Sequence, residues 1–152
     1  VQLPFVQFFD KGVRQVCISM MEQSLGTARW LGERISKAIG KTGRNTLIVA
    51  SSDFTHCGRN YGYPIPGGMN AGEFARSRDM PVIEKLLRFD LEGAQAEKRK
   101  LGTTACGVGP IFTMYEAARS LGAEEVKLLD YSTSYDVSPS TSAVGYASIV
   151  LY

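Results

Sequence analysis

The stretch from Thr46 to Cys57 passes from apolar to polar, and it constrains the fold more than any other part of the sequence. Thr46 to Ala50 are apolar or β-branched, and two serines, Asp53 and His56 follow them. A buried strand of an α/β sheet ends in this way, with polar side chains where the chain leaves the sheet. Ligands bind in the crevice at that end of open α/β sheets. We therefore predict a strand over 46–51, and we interpret Asp53 and His56 as half of an active site.

The composition is that of an ordinary globular domain. The chain has 152 residues, of which 44% are hydrophobic and 21% are charged, enough to bury a core. The net charge is only +2 and the cationic residues alternate with acids, so we predict no nucleic-acid partner. No apolar run reaches the roughly 18 residues of a membrane span, so we predict no membrane partner.

The cysteines and the first residues bear on location and domain organisation. Cys17, Cys57 and Cys106 are an odd number without paired spacing, which favours a reducing, cytoplasmic location over a disulfide framework. The sequence opens without Met, inside an apolar stretch in which Pro4 suits the first turn of a short helix or a kink in a longer one. We expect residues 1–152 to be a single domain that forms part of a longer chain.

The first half of the sequence predicts a βαβ unit. Val13 to Met21 has the pattern of a buried strand. Ser24 is typical of a helix N-cap, and apolar residues then recur every three or four positions up to Gly40 and Gly43. The strand over 46–51 follows. Strands joined by a helix in this way run parallel, with a right-handed crossover.

The second half predicts a long loop, three helices and two strands. The loop, Phe54 to Ala71, is rich in glycine and proline and carries Tyr61 and Tyr63, which favours a lid or pocket wall over a plain surface loop. The predicted elements beyond it are a helix capped by Asp79 with Pro81 in its first turn, a helix from Asp90 to Gly102, a helix from Ile111 to Leu121, and strands over Val126 to Tyr131 and Val144 to Leu151. The expected fold is α/β, with a mixed, mostly parallel sheet flanked by helices.

Several residues in these predicted elements are candidates for catalysis or ligand binding. A histidine beside a carboxylate is typical of a general base or a metal ligand, and also of a purely structural hydrogen bond. Cys57 and Cys106 have glycine and other small neighbours, which suits a nucleophile, a soft metal ligand or tight packing. The two glycines after Cys106, Gly107 and Gly109, precede a helix and suit either anion binding or close packing.

Five motifs, in order along nearly the whole chain, together resemble the Memo family. They are Val1-Gln2-Leu3-Pro4-Phe5, Ala50-Ser51-Ser52-Asp53-Phe54-Thr55-His56, Thr104-Ala105-Cys106-Gly107 with Pro110, Tyr131-Ser132-Thr133-Ser134 and Val144-Gly145-Tyr146-Ala147. The resemblance is to the C-terminal part of such proteins. It implies a fold similar to class III extradiol ring-cleavage dioxygenases, which hold a non-haem Fe(II) with two histidines and a carboxylate.

The resemblance also implies roles for individual residues. His56 matches the acid/base histidine of those dioxygenases, with Asp53 beside it, and Asp136 is the one candidate metal ligand in this sequence. Fe(II) or another transition metal would need its two histidine ligands from upstream of this chain. The implied substrate pocket contains Tyr61, Tyr63, Cys106 and Ser134.

Two functions fit this resemblance. The first is a metal-dependent oxidoreductase that acts on a small aromatic ligand, with His56 and Asp53 as its acid/base pair. The second is a non-enzymatic adaptor that binds a peptide or protein in the same pocket. The sequence leaves the oligomeric state open.

Overall fold

The computed structural model describes residues 2–152, so Val1 of the first predicted helix lies outside it. The helices are α1 (Leu3–Phe9), α2 (Leu25–Thr42), α3 (Ala71–Leu86), α4 (Leu91–Leu101), α5 (Val108–Ser120) and α6 (Ser134–Val137). The strands are β1 (His56–Gly58), β2 (Val126–Thr133) and β3 (Ser142–Leu151), and one 3-10 turn spans Arg59–Tyr61.

The three strands form an antiparallel sheet in the order β1-β3-β2. His56 pairs with Val144 at one end, and β2 and β3 pair from Val126 opposite Leu151 to Thr133 opposite Gly145. An α/β fold is confirmed, and so are the last two predicted strands. The sheet orientation differs from the mostly parallel arrangement that the sequence favoured.

The parallel arrangement fails because two predicted strands find no partner among residues 2–152. The segments 13–21 and 46–51 lie outside every strand, and no backbone–backbone hydrogen bond joins residues 46–52 to any described residue. An alternating apolar pattern indicates that a segment favours extended backbone. A strand also requires a neighbouring segment whose free backbone groups can form hydrogen bonds with it. The predicted βαβ unit is therefore not formed.

Most helices begin and end where the sequence predicts. The Ser24 side chain accepts a hydrogen bond from the Thr27 N–H at the start of α2, which ends at Gly43 in the left-handed conformation with φ 61°. Asp90 caps α4, which ends at Gly102. These side chains satisfy backbone groups that have no partner within the helix.

The start of α3 is different from the prediction. The helix begins at Ala71, where Asn70 and Glu73 form a reciprocal capping box, and it continues through Asp79 and Pro81. A capping box satisfies two free N–H groups at once, so the helix starts nine residues earlier than it would with Asp79 as its cap. Asp79 therefore lies inside the helix, and its side chain is free to turn into the core.

Two buried clusters hold the elements together. The larger lies between the helices and one face of the sheet, and includes Ala28, Ile83, Leu86, Phe112 and Tyr115. The smaller joins β1, α3 and β3, and consists of Cys57, Ala71, Phe74, Ala75 and Ala143. Within residues 2–152, no helix has the length and apolarity to cross a membrane.

Candidate functional site

The short strand β1 gives His56 and Cys57 opposite orientations. The Gly145 N–H donates to the Thr55 carbonyl at 2.9 Å, and the Phe54 N–H donates to the Gly145 carbonyl at 2.8 Å. Successive side chains of a strand point to opposite faces. Cys57 is fully buried in the smaller cluster, where burial raises the pKa of its thiol. The His56 side chain, 23% exposed, faces away from that cluster.

His56 and Asp53 lie side by side, as the sequence suggested. The His56 Nε2 is 3.4 Å from the Asp53 Oδ2, which is longer than the usual 2.9–3.0 Å of an N–H···O bond. Thr104 fixes the backbone beneath the ring, because the His56 N–H donates to Thr104 Oγ1 at 2.7 Å and Thr104 Oγ1 donates to the His56 carbonyl at 3.1 Å. The imidazole is thus held on a fixed backbone beside a carboxylate.

Two tyrosines lie next to this pair. The Tyr61 ring meets the His56 ring edge to face, with centroids 5.1 Å apart. Partial burial, together with the nearby negative charge of Asp53 and the phenol of Tyr61, raises the pKa of Tyr146. Tyr61 and Tyr146 remain 48% and 42% exposed. Tyr61 was predicted from the sequence and Tyr146 was not, although Tyr146 lies two residues along β3 from Val144, the partner of His56.

Cys106 lies against the backbone of Asp53. The Asp53 N–H donates to Cys106 Sγ at 3.3 Å, and the Cys106 N–H donates to the Asp53 carbonyl at 3.3 Å. The next residue, Gly107, approaches so closely that a Cβ there would lie 2.5 Å from the Ser51 carbonyl oxygen. Close packing therefore explains Gly107 without an anion, and it brings the start of α5 to the acid/base pair.

The other predicted pocket residues lie elsewhere. The Tyr63 hydroxyl donates to the Leu101 carbonyl at 3.2 Å, and its ring packs on Phe74 in the smaller cluster, on the opposite face of β1 from His56. Ser134 Oγ accepts a hydrogen bond from the Val144 N–H at 3.0 Å. Because β3 lies between β1 and β2, Ser134 is across β3 from His56.

The Asp136 carboxylate forms hydrogen bonds that cap the start of helix α6. Its Oδ2 accepts hydrogen bonds from the Thr133 N–H at 2.7 Å and the Thr133 Oγ1 at 2.9 Å, and Arg76 approaches the same oxygen at 3.7 Å. These donors, the backbone N–H first, hold the pKa of Asp136 below its usual value. Across residues 2–152 no three His, Cys, Asp or Glu side chains converge to hold a metal ion. The described residues therefore do not form a metal centre by themselves.

The buried carboxylate of Asp79 lies directly behind the His56 strand. Its Oδ1 accepts hydrogen bonds from the Thr55 N–H at 3.1 Å and the Thr55 Oγ1 at 2.5 Å, and its Oδ2 accepts one from the Tyr131 hydroxyl at 2.7 Å. Burial raises the pKa of Asp79, and these hydrogen bonds and the nearby His56 act in the opposite direction. Asp79 was predicted from the sequence only as a helix cap, because the predicted start of α3 was wrong.

Two clefts in the described part of the chain, one lined by residues 46–50 and α5 and the other by residues 58–65, do not include Asp53 or His56 in their linings. The pair is accessible from the surface, beside two exposed phenol rings and a thiol. The fold and this arrangement define a class: α/β proteins that carry a solvent-accessible histidine–carboxylate pair where the chain enters a strand.

Comparison with known proteins narrows that class to one family. The family model described as Memo-like protein matches residues 1–150. This chain therefore belongs to the Memo family.

Its relatives include several archaeal proteins named MEMO1 family protein. The chain is 42% identical to the one from Thermococcus onnurineus over 158 residues, which cover 99% of this chain and 54% of the relative. It is 40% identical over 158 residues to the one from Pyrococcus horikoshii, with the same coverage. It is 35% identical over 153 residues to the one from Methanosarcina acetivorans, covering 99% of this chain and 53% of the relative. The chain thus spans about half the length of these relatives.

Proposed function

We propose that this chain supplies the acid/base side of an extradiol-type, metal-dependent dioxygenase site, in which His56 transfers a proton and Asp53 orients it. The observation that carries the proposal is the 3.4 Å contact between the His56 Nε2 and the Asp53 carboxylate beside the Tyr61 ring. Imidazole is the side chain that most readily exchanges a proton near neutral pH. With Nε2 directed at Asp53, the Nδ1 atom is the one that accepts a proton from a substrate hydroxyl.

The surrounding residues suit a small aromatic substrate. Tyr61 and Tyr146 offer exposed rings next to the imidazole, and aromatic rings stack favourably at centroid distances of about 4.5–7 Å. Cys106 adds a polarizable sulfur beside Asp53. An ortho-dihydroxybenzene presents both a ring for these contacts and a hydroxyl proton for His56.

The metal of this proposal depends on ligands beyond the described residues. Asp136 is bound to Thr133 and approached by Arg76, and the chain has no second histidine. Fe(II) prefers two histidines and a carboxylate in enzymes of this type.

The test uses the fact that His56 is the single histidine, so its ring signals in a proton NMR spectrum are unambiguous. Catechol added to the chain is expected to shift these signals, and Tyr61→Ala is expected to abolish the shift. Tyr63→Phe is the matched control, because Tyr63 packs on the other face of β1, and it should leave the shift unchanged. Absence of any shift at millimolar catechol would contradict the proposed substrate site.

Turnover is measured separately as oxygen uptake with catechol and added Fe(II), in a full-length Memo-family protein that has histidine and aspartate at the positions matching His56 and Asp53, because the metal ligands of this proposal lie beyond the described residues. General acid/base groups contribute about 10²–10⁴-fold to a rate, so His56→Gln should lower uptake by about 100-fold, and Asp53→Asn by less. Uptake that is equal in wild type and His56→Gln would remove His56 from the mechanism. Catechol binding without any uptake would favour a binding role.

The second candidate function, a peptide-binding adaptor, is favoured by the openness of the same surface. Exposed tyrosines dominate the energetics of many protein interfaces, and Tyr61 and Tyr146 lie together beside the His56–Asp53 pair. Selection of a phage-displayed decapeptide library against the chain tests this role. Binders should lose affinity at least tenfold on Tyr61→Ala and keep it on Tyr63→Phe, and binders indifferent to Tyr61 would exclude this surface.

A further inference from the structure

The two faces of the sheet carry different residues where β1 meets β3. Successive side chains of a strand point to opposite faces. Thr55 and Gly145 are buried on the inner face, which packs on the helices, whereas His56 and Tyr146 follow them on the outer face at the candidate site. The Gly145 N–H donates to the Thr55 carbonyl at 2.9 Å. His56 and Tyr146 are therefore diagonal neighbours on the outer face, at a spacing that aromatic side chains can bridge.

A buried carboxylate lies directly beneath the two inner residues. Asp79, on α3, is fully buried, and its Oδ1 accepts hydrogen bonds from the N–H and the hydroxyl of Thr55. A Cβ at Gly145 would lie 2.1 Å from the Asp79 Oδ2, so the carboxylate fills the space that a side chain there would need. Asp79 thus lies against the residue before His56 and the residue before Tyr146.

Packing alone does not account for a carboxylate at this position. Its hydrogen bonds come from neutral donors, the N–H and hydroxyl of Thr55 and the hydroxyl of Tyr131. Burial of a carboxylate costs stability, and buried ionisable groups beside a site are candidates for a functional role. Burial raises the pKa of Asp79, whereas its hydrogen bonds and then the nearby His56 lower it. The carboxylate and the imidazole therefore interact through the strand that separates them.

We propose that Asp79 is a positioning residue for the acid/base pair. From the inner face, and through the backbone of Thr55 and Gly145, it sets the placement of the His56 ring against the aromatic rings on the outer face. A displacement of about 1 Å can lower the rate of a reaction about 100-fold, so a rigid support behind the strand is part of the site. The proposal rests on the proposed function only in that His56 transfers a proton, since the placement itself requires no turnover.

The placement of the His56 ring is tested by proton NMR, because the ring signals of the single histidine are unambiguous. The His56 and Tyr61 rings are in edge contact, with centroids 5.1 Å apart, so wild type should give a nuclear Overhauser cross-peak between them. Asp79→Asn keeps the size of the side chain and removes its charge. It should reduce the cross-peak at least about twofold, because neutral hydrogen bonds are roughly half as strong as charge-assisted ones.

Three further variants separate positioning from general stability. Thr55→Val removes the hydroxyl donor next to His56 and should weaken the cross-peak, whereas Thr55→Ser keeps the hydroxyl and should retain it. This contrast decides if Asp79→Asn does not fold. Tyr131→Phe is the matched control, because it removes a hydrogen bond of the same carboxylate on β2, and it should destabilise the chain in urea but leave the cross-peak at wild-type intensity. An unchanged cross-peak in Asp79→Asn and Thr55→Val, or an equal loss in Tyr131→Phe, overturns the proposal.

Catechol affinity distinguishes a failure of this proposal from a failure of the proposed function. Asp79→Asn should raise the dissociation constant of catechol at least about tenfold, as expected for a displaced binding group, and Tyr131→Phe should leave it unchanged. Catechol that does not bind wild type, together with a cross-peak that is lost in Asp79→Asn, contradicts the proposed function and supports the positioning role. Catechol that binds wild type and Asp79→Asn equally well overturns the positioning role.

Discussion

At the scale of single residues, two aspartates titrate in opposite directions and stabilise the fold in different ways. Asp79 is fully buried on α3, and burial raises its pKa. Asp136 is half exposed at the start of α6, and hydrogen bonds from Thr133 lower its pKa. A pKa that differs between the folded and unfolded chain makes stability depend on pH. The two residues therefore give opposite pH dependences.

For Asp79 the expected dependence is a loss of stability as pH rises. Its folded pKa lies above its unfolded value, so the folded state binds the proton more tightly and is favoured most at acid pH. Asp79→Asn removes this dependence. The free energy of unfolding of the variant minus that of wild type, measured by urea denaturation, should therefore be more positive at pH 7 than at pH 4. A difference that is constant between the two pH values would contradict a raised pKa.

For Asp136 the sign is reversed. Its folded pKa is depressed, so the carboxylate contributes stability above its unfolded value and loses that contribution as pH falls through the folded pKa. Asp136→Asn should destabilise the chain at pH 7 by about 0.5–1 kcal/mol, as for weakened helix caps, and have little effect near pH 2. An equal loss of stability at both pH values would show that the charge is not involved.

Gly145 is a residue where a side chain does not fit. A Cβ there would lie 2.1 Å from the Asp79 Oδ2 and 2.7 Å from the Tyr131 hydroxyl. Overpacking costs typically 1–3 kcal/mol, so Gly145→Ala should destabilise the chain by about 3 kcal/mol in thermal or urea unfolding. Gly40→Ala is the control, because nothing lies within 4 Å of a Cβ at that position in α2, and it should stabilise by about 0.5–1 kcal/mol. Similar effects of the two changes would contradict the crowded site behind β1.

The candidate site could be predicted only in part from the sequence. His56 and Asp53 are three residues apart, so their contact follows from a single turn of chain. Thr104, Tyr146 and Asp79 approach from three other elements, and no local pattern encodes such distances. The family resemblance implied a place in the pocket for Ser134 and a metal-binding role for Asp136, whereas their hydrogen bonds are made at the start of β3 and at the start of α6.

At the scale of secondary structure, helices could be predicted more reliably than strands because their signals are local. The caps Ser24 and Asp90 and the C-terminal Gly43 satisfy groups within a few residues of themselves. The segments 13–21 and 46–51 have the composition of strands, but pairing depends on a second segment distant in sequence. Where that second segment is missing from the described chain, the pattern is present without the strand.

The capping box of α3 is a local sequence signal for the start of the helix, and it leads to a prediction at the scale of secondary structure. Asn70 accepts a hydrogen bond from the Glu73 N–H at 2.9 Å, and the Glu73 side chain accepts one from the Asn70 N–H at 3.1 Å. Loss of an N-cap costs about 1 kcal/mol, so Asn70→Ala should destabilise the chain by that amount in urea unfolding. Ser77→Ala is the control within the same helix, because Ser77 bonds only to the Phe74 carbonyl, and its effect should be near zero. If Asn70→Ala is equally silent, the box does not set the start of α3.

At the scale of the whole molecule, Arg29 joins three helices. It lies on α2 and forms ion pairs with Glu92 on α4 and with Glu116 on α5, the latter at 3.1 Å. The Glu116 side chain is only 9% exposed. Few other polar contacts connect α2 to its neighbours in the described chain, so this side chain links helices that otherwise meet through apolar packing.

Replacing Arg29 should therefore cost more than replacing a surface cation. Arg29→Met keeps much of the apolar stem but leaves the nearly buried Glu116 carboxylate without its main partner, and hydrogen bonds to charged groups contribute about 1.5–3 kcal/mol. We expect a loss of about 2 kcal/mol in the free energy of unfolding. Arg119→Met is the matched control, because Arg119 pairs with the same Glu116 at 3.4 Å from the surface of α5, and exposed pairs contribute about 0.3–0.5 kcal/mol. Double-mutant cycles with Glu116→Gln should give a larger coupling energy for the Arg29–Glu116 pair than for the Arg119–Glu116 pair. Equal coupling energies would show that α2 is held to α5 by apolar contacts alone.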